Sequence, residues 1–303
     1  MQSIWKNGQL IPWHEAQTHV LTHSLHYGSA VFEGIRFYKT EQGPAVFKLR
    51  EHIERFFYSA AQLAMSIPYS SEDICQAVVT TVKENGQEEG YIRPLAYYGQ
   101  GGMKIVPDPN LPVEVIVACW PWGSYLSATA VDVACSPYIR IHPKSTISNA
   151  KISGHYINSL LAGLVIRNSH YHEALLLDDA GYVTEGTSAN IFIIKNNRII
   201  TPPEGGILVG ITRNTVMEIA QEFGLAVEEK YFKPEEVYAA DEAFFTGTAV
   251  EITAIRSLDD RIIAQGKIGK ITGKIQQRYQ QIIQGQIPEH HIDLTWISEG
   301  VTA

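Results

Sequence analysis

Lys151 lies in Asn149-Ala150-Lys151-Ile152-Ser153-Gly154, where every neighbour but Asn149 is small or apolar. An amine in such company is partly desolvated, which favours its neutral form and frees it to attack a carbonyl carbon. A lysine taken by itself is far more often a surface charge, and Lys144 is the nearest rival. Glu185, in Thr184-Glu185-Gly186-Thr187-Ser188-Ala189-Asn190, ends a strand-like run before a glycine turn. It is either a turn-former or, buried beside a pyridine nitrogen, the group that keeps that nitrogen protonated and the ring electron-withdrawing. Gly205-Gly206-Ile207-Leu208-Val209-Gly210-Ile211-Thr212 is a glycine-containing loop that runs into a helix start. Unpaired backbone N–H groups, a hydroxyl and the positive end of the helix dipole favour a phosphate there. Capping alone would also explain Thr212, and the spacing is neither a Walker A loop nor a dinucleotide fingerprint. Tyr91 and Arg93 alternate along a short strand and so share a face. That pairing is either a surface feature or a receptor for a carboxylate.

His14, His19, His23 and His26 have suggestive spacing, but no carboxylate or thiolate falls at a matching spacing and no helix is clearly present, so no metal is expected. His290-His291 reads as a solvated tail.

The elements that must position these groups follow from periodicity and turn chemistry. Ile4-Trp5-Lys6 and Gln9-Leu10-Ile11 flank Asn7-Gly8 and predict an opening hairpin. Strands are expected over Val31 to Tyr38, Ala45 to Leu49 and Val113 to Trp120, and a helix over Arg50 to Met65. Composition turns small and polar from Ser124 to Thr129, where an interdomain linker is expected. Beyond it, a helix is expected over His155 to Asn168, with Ile157, Leu160, Leu161, Leu164 and Val165 on its buried face. Strands over Ala174 to Leu177, Asn190 to Lys195 and Arg198 to Thr201 follow at hairpin spacing. A helix from about Thr212, with Val216, Ile219, Ala220 and Phe223 inward, should stop at Gly224, and another should cover Gln276 to Ile283. The fold class is therefore α+β in two domains, 1–123 and 130–303, each a largely antiparallel or mixed sheet with helices.

With 303 residues, 45% of them hydrophobic and 18% charged, the chain is an ordinary globular one. A net charge of −8 argues against a nucleic-acid partner. No run approaches the roughly 20 apolar residues that span a bilayer, and Met1 to Pro12 lacks a signal-type core, so no membrane association is expected. Cys75, Cys119 and Cys135 suit buried reduced thiols rather than disulfides or zinc, and the expected location is cytoplasmic.

Taken in order, these strings resemble the fold-type IV (class IV) pyridoxal-phosphate aminotransferases, and the bacterial branched-chain amino-acid aminotransferases most closely. The resemblance rests on His26-Tyr27-Gly28, Val31-Phe32-Glu33-Gly34-Ile35-Arg36 and Tyr91-Ile92-Arg93-Pro94 in the first half. It continues through Pro121-Trp122-Gly123, Ala150-Lys151 to Tyr156, Thr184-Glu185-Gly186, Gly210-Ile211-Thr212-Arg213 and Gly247-Thr248-Ala249 to Thr253. It implies the D-amino-acid-aminotransferase-like fold and pyridoxal 5'-phosphate as cofactor, carried on Lys151 as a Schiff base. Tyr156 would bond the cofactor's 3-hydroxyl oxygen and Glu185 its ring nitrogen. Arg55, Ile211, Thr212 and Thr248 would hold the phosphate, with Leu208 against the ring. Thr248 and Ala249 would offer N–H groups to the substrate carboxylate, while Tyr27, Phe32, Tyr91, Arg93, Trp122 and Tyr125 would form the side-chain pocket. The implied partners are amino acids, 2-oxo acids and a second copy of the chain, as a homodimer or an assembly of dimers. Val209 and Lys104 depart from the family pattern, which usually has proline and glycine there. D-Amino-acid transaminases, (R)-amine transaminases and aminodeoxychorismate lyase share the fold and are the alternatives. The D-enzyme would want an arginine and a histidine near Gly101 to Val106, where this chain has Met103 and Lys104. A cofactor-free binding module would leave Lys151, Tyr156, Glu185 and the phosphate loop idle.

Overall fold

The computed structural model describes residues 2–123 and 130–298. The chain divides into two compact units, one of Met1–Gly123, Ala150–Gly154 and Gln281–Ala303, the other of Ser124–Asn149 and His155–Gln280.

The first unit opens with the expected hairpin, β1 (Ser3–Lys6) and β2 (Gln9–Pro12). Its two turn residues, Asn7 and Gly8, have φ of 49° and 90°, the positive values such a turn demands. After the short helix α1 (His23–Tyr27), the strand expected over 31–38 is split into β3 (Ala30–Phe32) and β4 (Ile35–Thr40). Both pair with β6 (Gly90–Tyr98), and the gap falls opposite Pro94. The Glu33 N–H donates to the Pro94 carbonyl at 2.9 Å, but proline has no N–H to return, so the ladder lapses there. β5 (Gly43–Phe47) ends before Leu49, which begins helix α2 (Leu49–Gln62) instead of closing the strand. Helix α3 (Ser71–Asn85), which the periodicity does not predict, begins with a capping box between Ser70 and Asp73. β7 (Val113–Trp120) has the expected bounds. These strands and Leu294–Trp296 make an eight-stranded antiparallel sheet among the described residues. Ile35, Phe37, Ile53, Phe56, Ile74, Val78 and Val117 form the core between the sheet and α2 and α3. Each such side chain contributes about 1.5–3 kcal/mol on burial.

The division departs from a single cut after Gly123 in two places. Leu294–Trp296 pairs with β5, which draws the chain's end into the first unit rather than the second. Ala150–Gly154 also joins the first unit, through a bridge from Ile152 to Val31 and a bond from Gly154 N–H to the Gly28 carbonyl. The expected linker, 124–129, lies outside the described residues.

The second unit starts with β8 (Ala130–Cys135), helix α4 (Tyr156–Ile166) and β9 (Glu173–Leu177). β8 lies parallel to β9, so this stretch is a crossover rather than a hairpin. β10 (Val183–Gly186), β11 (Asn190–Lys195) and β12 (Arg198–Thr201) follow as antiparallel neighbours, turned between the last two by Asn196-Asn197. Helix α5 (Ile211–Glu222) stops at Gly224, whose φ is 66°. β13 (Val227–Glu229), helix α6 (Pro234–Tyr238), β14 (Glu242–Gly247), β15 (Glu251–Leu258), β16 (Arg261–Ile262) and helix α7 (Lys270–Ile283) complete the order. The sheet, nine-stranded among the described residues, is mixed, with β8 parallel to β15 and β12 parallel to β13 as well. Val131, Leu175, Ile191, Ile193, Phe245 and Ile255 lie in its core.

Helix α4 corrects an expectation. Ile157, Leu160, Leu164 and Val165 are 57%, 57%, 49% and 53% exposed, and the buried stripe is Ala162 and Ile166. The helix is apolar almost all round, so its periodicity cannot say which face turns inward. Among the described residues no helix is long and apolar enough to cross a membrane. His290 and His291 are not a free tail: they bond Asp293 and the Gly285 carbonyl.

Candidate active site

In the first unit, Lys151 follows buried Ala150 and is itself half-buried. Its backbone is held on both sides. The Lys151 N–H donates to Ser59 Oγ of α2 at 2.9 Å, and its carbonyl accepts the Phe32 N–H of β3 at 3.2 Å. The amine then stands 5.1 Å from the centroid of the Phe32 ring. Arg93 reaches the same ring, its guanidinium carbon 4.8 Å from the centroid, and also lies over Tyr91 at 5.6 Å and Trp120 at 5.9 Å. Tyr91 and Arg93 thus share a face, as the alternation on β6 requires. Tyr91 packs on Trp122 with centroids 5.2 Å apart, and the Trp122 carbonyl accepts a bond from Arg36 at 3.2 Å. Gly34 makes room for this group, because a Cβ there would lie 1.8 Å from the Tyr91 hydroxyl. Tyr27 makes its contacts elsewhere in the unit, donating to the Met103 carbonyl at 2.8 Å and packing against His23.

Arg55 is held by Glu33, Nε to Oε1 at 2.7 Å and Nη2 to Oε2 at 2.8 Å. His52 Nδ1 is 2.8 Å from Glu33 Oε2 as well. Burial alone would raise the Glu33 carboxyl, but the Arg55 charge and the bonds from Arg55 and His52 outweigh it and hold it well below the usual carboxylate range. Burial holds His52 down despite Glu33, so a neutral ring with its proton on Nδ1 completes the cluster. Glu33, His52, Ser59 and Trp120 are not among the predicted site residues. Glu33 is visible only as part of a family string; the others carry no local signal, because their roles depend on which strand α2 and β6 face.

In the second unit, Glu185 is buried at the end of β10, and its Oε1 accepts a bond from Arg140 Nε. Oε2 takes the Leu208 N–H at 3.1 Å and Asn190 Nδ2 at 3.2 Å. An ionised carboxylate offers about four acceptor positions, so Oε1 retains one for a further donor such as a protonated ring nitrogen. Arg140 also donates to the Ser148 carbonyl, and the hydroxyl of Ser148 in turn holds the Gly205 carbonyl at 2.6 Å. The loop runs into α5, whose N-cap, Gly210, provides no side-chain bond to the first turn. Ile211 and buried Thr212 therefore present a helix N-terminus of the kind that suits an anion. Thr248 and Ala249 form the tight turn between β14 and β15, and Tyr156 is the first residue of α4. Arg140 and Asn190 are further residues that the sequence does not single out, and Tyr125 lies outside the described residues. Within each unit the residues suit a part of pyridoxal phosphate: the second has an acceptor for a ring nitrogen and an open helix start, and the first has an amine on an aromatic wall.

A family model described as Amino-transferase class IV matches residues 30–258. The chain is 46% identical over 291 residues to a branched-chain-amino-acid aminotransferase of Pseudomonas aeruginosa, covering 95% of this chain and 94% of that protein. Among solved structures, it resembles the T.th. branched-chain amino acid aminotransferase complexed with N-(5'-phosphopyridoxyl)-L-glutamate. The TM-score is 0.95 and the identity 40%, with 98% of both chains covered. The same enzyme with pyridoxamine 5'-phosphate gives a TM-score of 0.95 at 40% identity, again over 98% of both chains. With a family model across most of its length and relatives so similar end to end, the chain belongs to the class IV aminotransferases.

Proposed function

We propose that this protein moves the amino group between L-leucine, L-isoleucine or L-valine and 2-oxoglutarate, using pyridoxal 5'-phosphate carried on Lys151. One observation carries the reading: Lys151 Nζ and the Arg93 guanidinium lie at 5.1 and 4.8 Å from the centroid of one ring, Phe32. An amine and a receptor for a carboxylate thus share an apolar wall, as a pocket must if it accepts aliphatic and acidic side chains in turn. The similarity to branched-chain amino-acid aminotransferases supports the same substrate class.

The cofactor, when bound, supplies an aldehyde for exchange with amines and a ring that accepts charge from the substrate α-carbon. The chain supplies the rest. Lys151 Nζ takes the proton from the α-carbon of the incoming amino acid, and returns one to the α-carbon of the product in the second half-reaction. Glu185 holds a proton on the ring nitrogen. Arg55, Ile211, Thr212 and Thr248 bind the phosphate, Leu208 bears on the ring and Tyr156 holds the 3-hydroxyl oxygen. The N–H groups of Thr248 and Ala249 receive the substrate carboxylate. Phe32, Tyr27, Tyr91, Trp122 and Tyr125 line the pocket, and Arg93 takes the distal carboxylate of glutamate. The proposal includes a cytoplasmic location and a homodimer, and the exposed apolar residues of α4 support the second.

An absorption spectrum tests the reading. The purified protein should be yellow, lose that colour with borohydride and carry the reduced label on Lys151, and should consume leucine with 2-oxoglutarate. A colourless protein that ignores added pyridoxal phosphate, or a label on another lysine, overturns it.

A further inference from the structure

Asn190 is the first residue of β11, buried, and paired in register with Glu185 of β10 on one side and Thr246 of β14 on the other. Its side-chain amide donates in two directions, to Glu185 Oε2 at 3.2 Å and to the Leu208 carbonyl at 2.9 Å. The Leu208 N–H donates to the same Oε2 at 3.1 Å, which closes a ring of three bonds among strand, carboxylate and loop. On its other face the amide oxygen lies so near Gly210 that a Cβ there would fall 2.1 Å away. Gly210 is the N-cap of α5, so Asn190 touches both the carboxylate and the start of the helix. A single side chain thus joins the two groups that the proposed function assigns to opposite ends of the cofactor.

Building on that proposed function, we infer that Asn190 is a positioning residue that locks the Gly205–Gly210 loop to Glu185, so that the ring-nitrogen partner and the phosphate-binding helix start are held in one frame. The bonding also settles which oxygen serves the ring. Oε2 has both its acceptor positions filled by Asn190 and Leu208, whereas Oε1 has only Arg140. Glu185 therefore meets a ring N–H through Oε1, with Oε2 committed to the loop. Two ends held rigidly bind a rigid ligand better than either end would alone, because the ordering cost is met before the ligand arrives.

Asn190→Leu is nearly isosteric and removes both donors while leaving the Gly210 contact filled. The wild type and the variant are loaded with ring-15N-labelled pyridoxal phosphate, and the 15N and 31P resonances and the cofactor Kd are measured. Asn190→Ser, read in the same way, serves if the leucine variant does not give a wild-type circular dichroism spectrum. The expected result is a Kd raised about tenfold, equivalent to about 1.4 kcal/mol, with both resonances displaced. A shift at one end only, or at neither, overturns the inference, as does an unchanged Kd. A merely structural asparagine would lower the melting temperature and leave both resonances in place. Failure of the wild type to bind pyridoxal phosphate would instead overturn the proposed function, so the two failures are distinguishable.

Discussion

Glu33 has no exposed surface, yet it is charged, and its partners explain why. Arg55 and His52 converge on its two oxygens, and removing one member of such a buried pair typically costs about 3–5 kcal/mol. Its carboxyl is held lower in the folded protein than in the unfolded chain, where it titrates at about 4.3. The stability it contributes is therefore fully present above that value and is lost as the pH falls through the depressed folded value. Glu33→Gln should be strongly destabilised in denaturant titrations at pH 7, and the gap from wild type should narrow below about pH 4. A gap that is constant with pH would show that the carboxylate charge is not what matters. Arg93 is the converse case. Its Nε is buried without a hydrogen-bond partner, and its charge rests on the faces of Phe32, Tyr91 and Trp120. A distal carboxylate would complete it. Arg93→Ala should lower kcat/KM for glutamate and 2-oxoglutarate by about 2 kcal/mol or more, roughly thirtyfold, and that for leucine far less. Equal losses would remove Arg93 from the selectivity argument. Residues with a family string around them, such as Lys151 and Glu185, are legible in the sequence. Their supports, Ser59, Arg140 and Asn190, are not, because each lies far along the chain from what it holds or acts only through a folded loop.

Elements are most legible where a turn fixes the register. Asn7-Gly8 and Asn196-Asn197 set two hairpins, and the predicted bounds of β7, β11 and β12 match the structure. The split between β3 and β4 is not legible, since its cause is a proline on the neighbouring strand. Periodicity finds helices but cannot orient one that is apolar on several faces, and α4 is such a case. Its outward residues, Ile157, Leu160, Leu164 and Val165, are the ones that a second copy would cover in the proposed homodimer. Leu160→Glu with Leu164→Glu should leave the circular dichroism spectrum intact and shift the sedimenting species from dimer to monomer. An unchanged dimer would place the interface elsewhere.

At the scale of the whole molecule, the α+β class is readable from strand spacing, but the assignment of later segments to a unit is not. Which unit a strand joins is decided by pairing across the full length of the chain, and no local pattern carries that information. Leu294–Trp296 shows this most plainly, as an edge strand laid on β5 by residues at the other end of the polypeptide. Order of synthesis and order of completion are consequently inverted. By the time Gln280 has left the ribosome, the second unit has all its residues, whereas the unit that began the chain still lacks its outermost strand. Until Leu294–Trp296 has been made, β5 is a raw edge, open to a stray strand from another nascent chain.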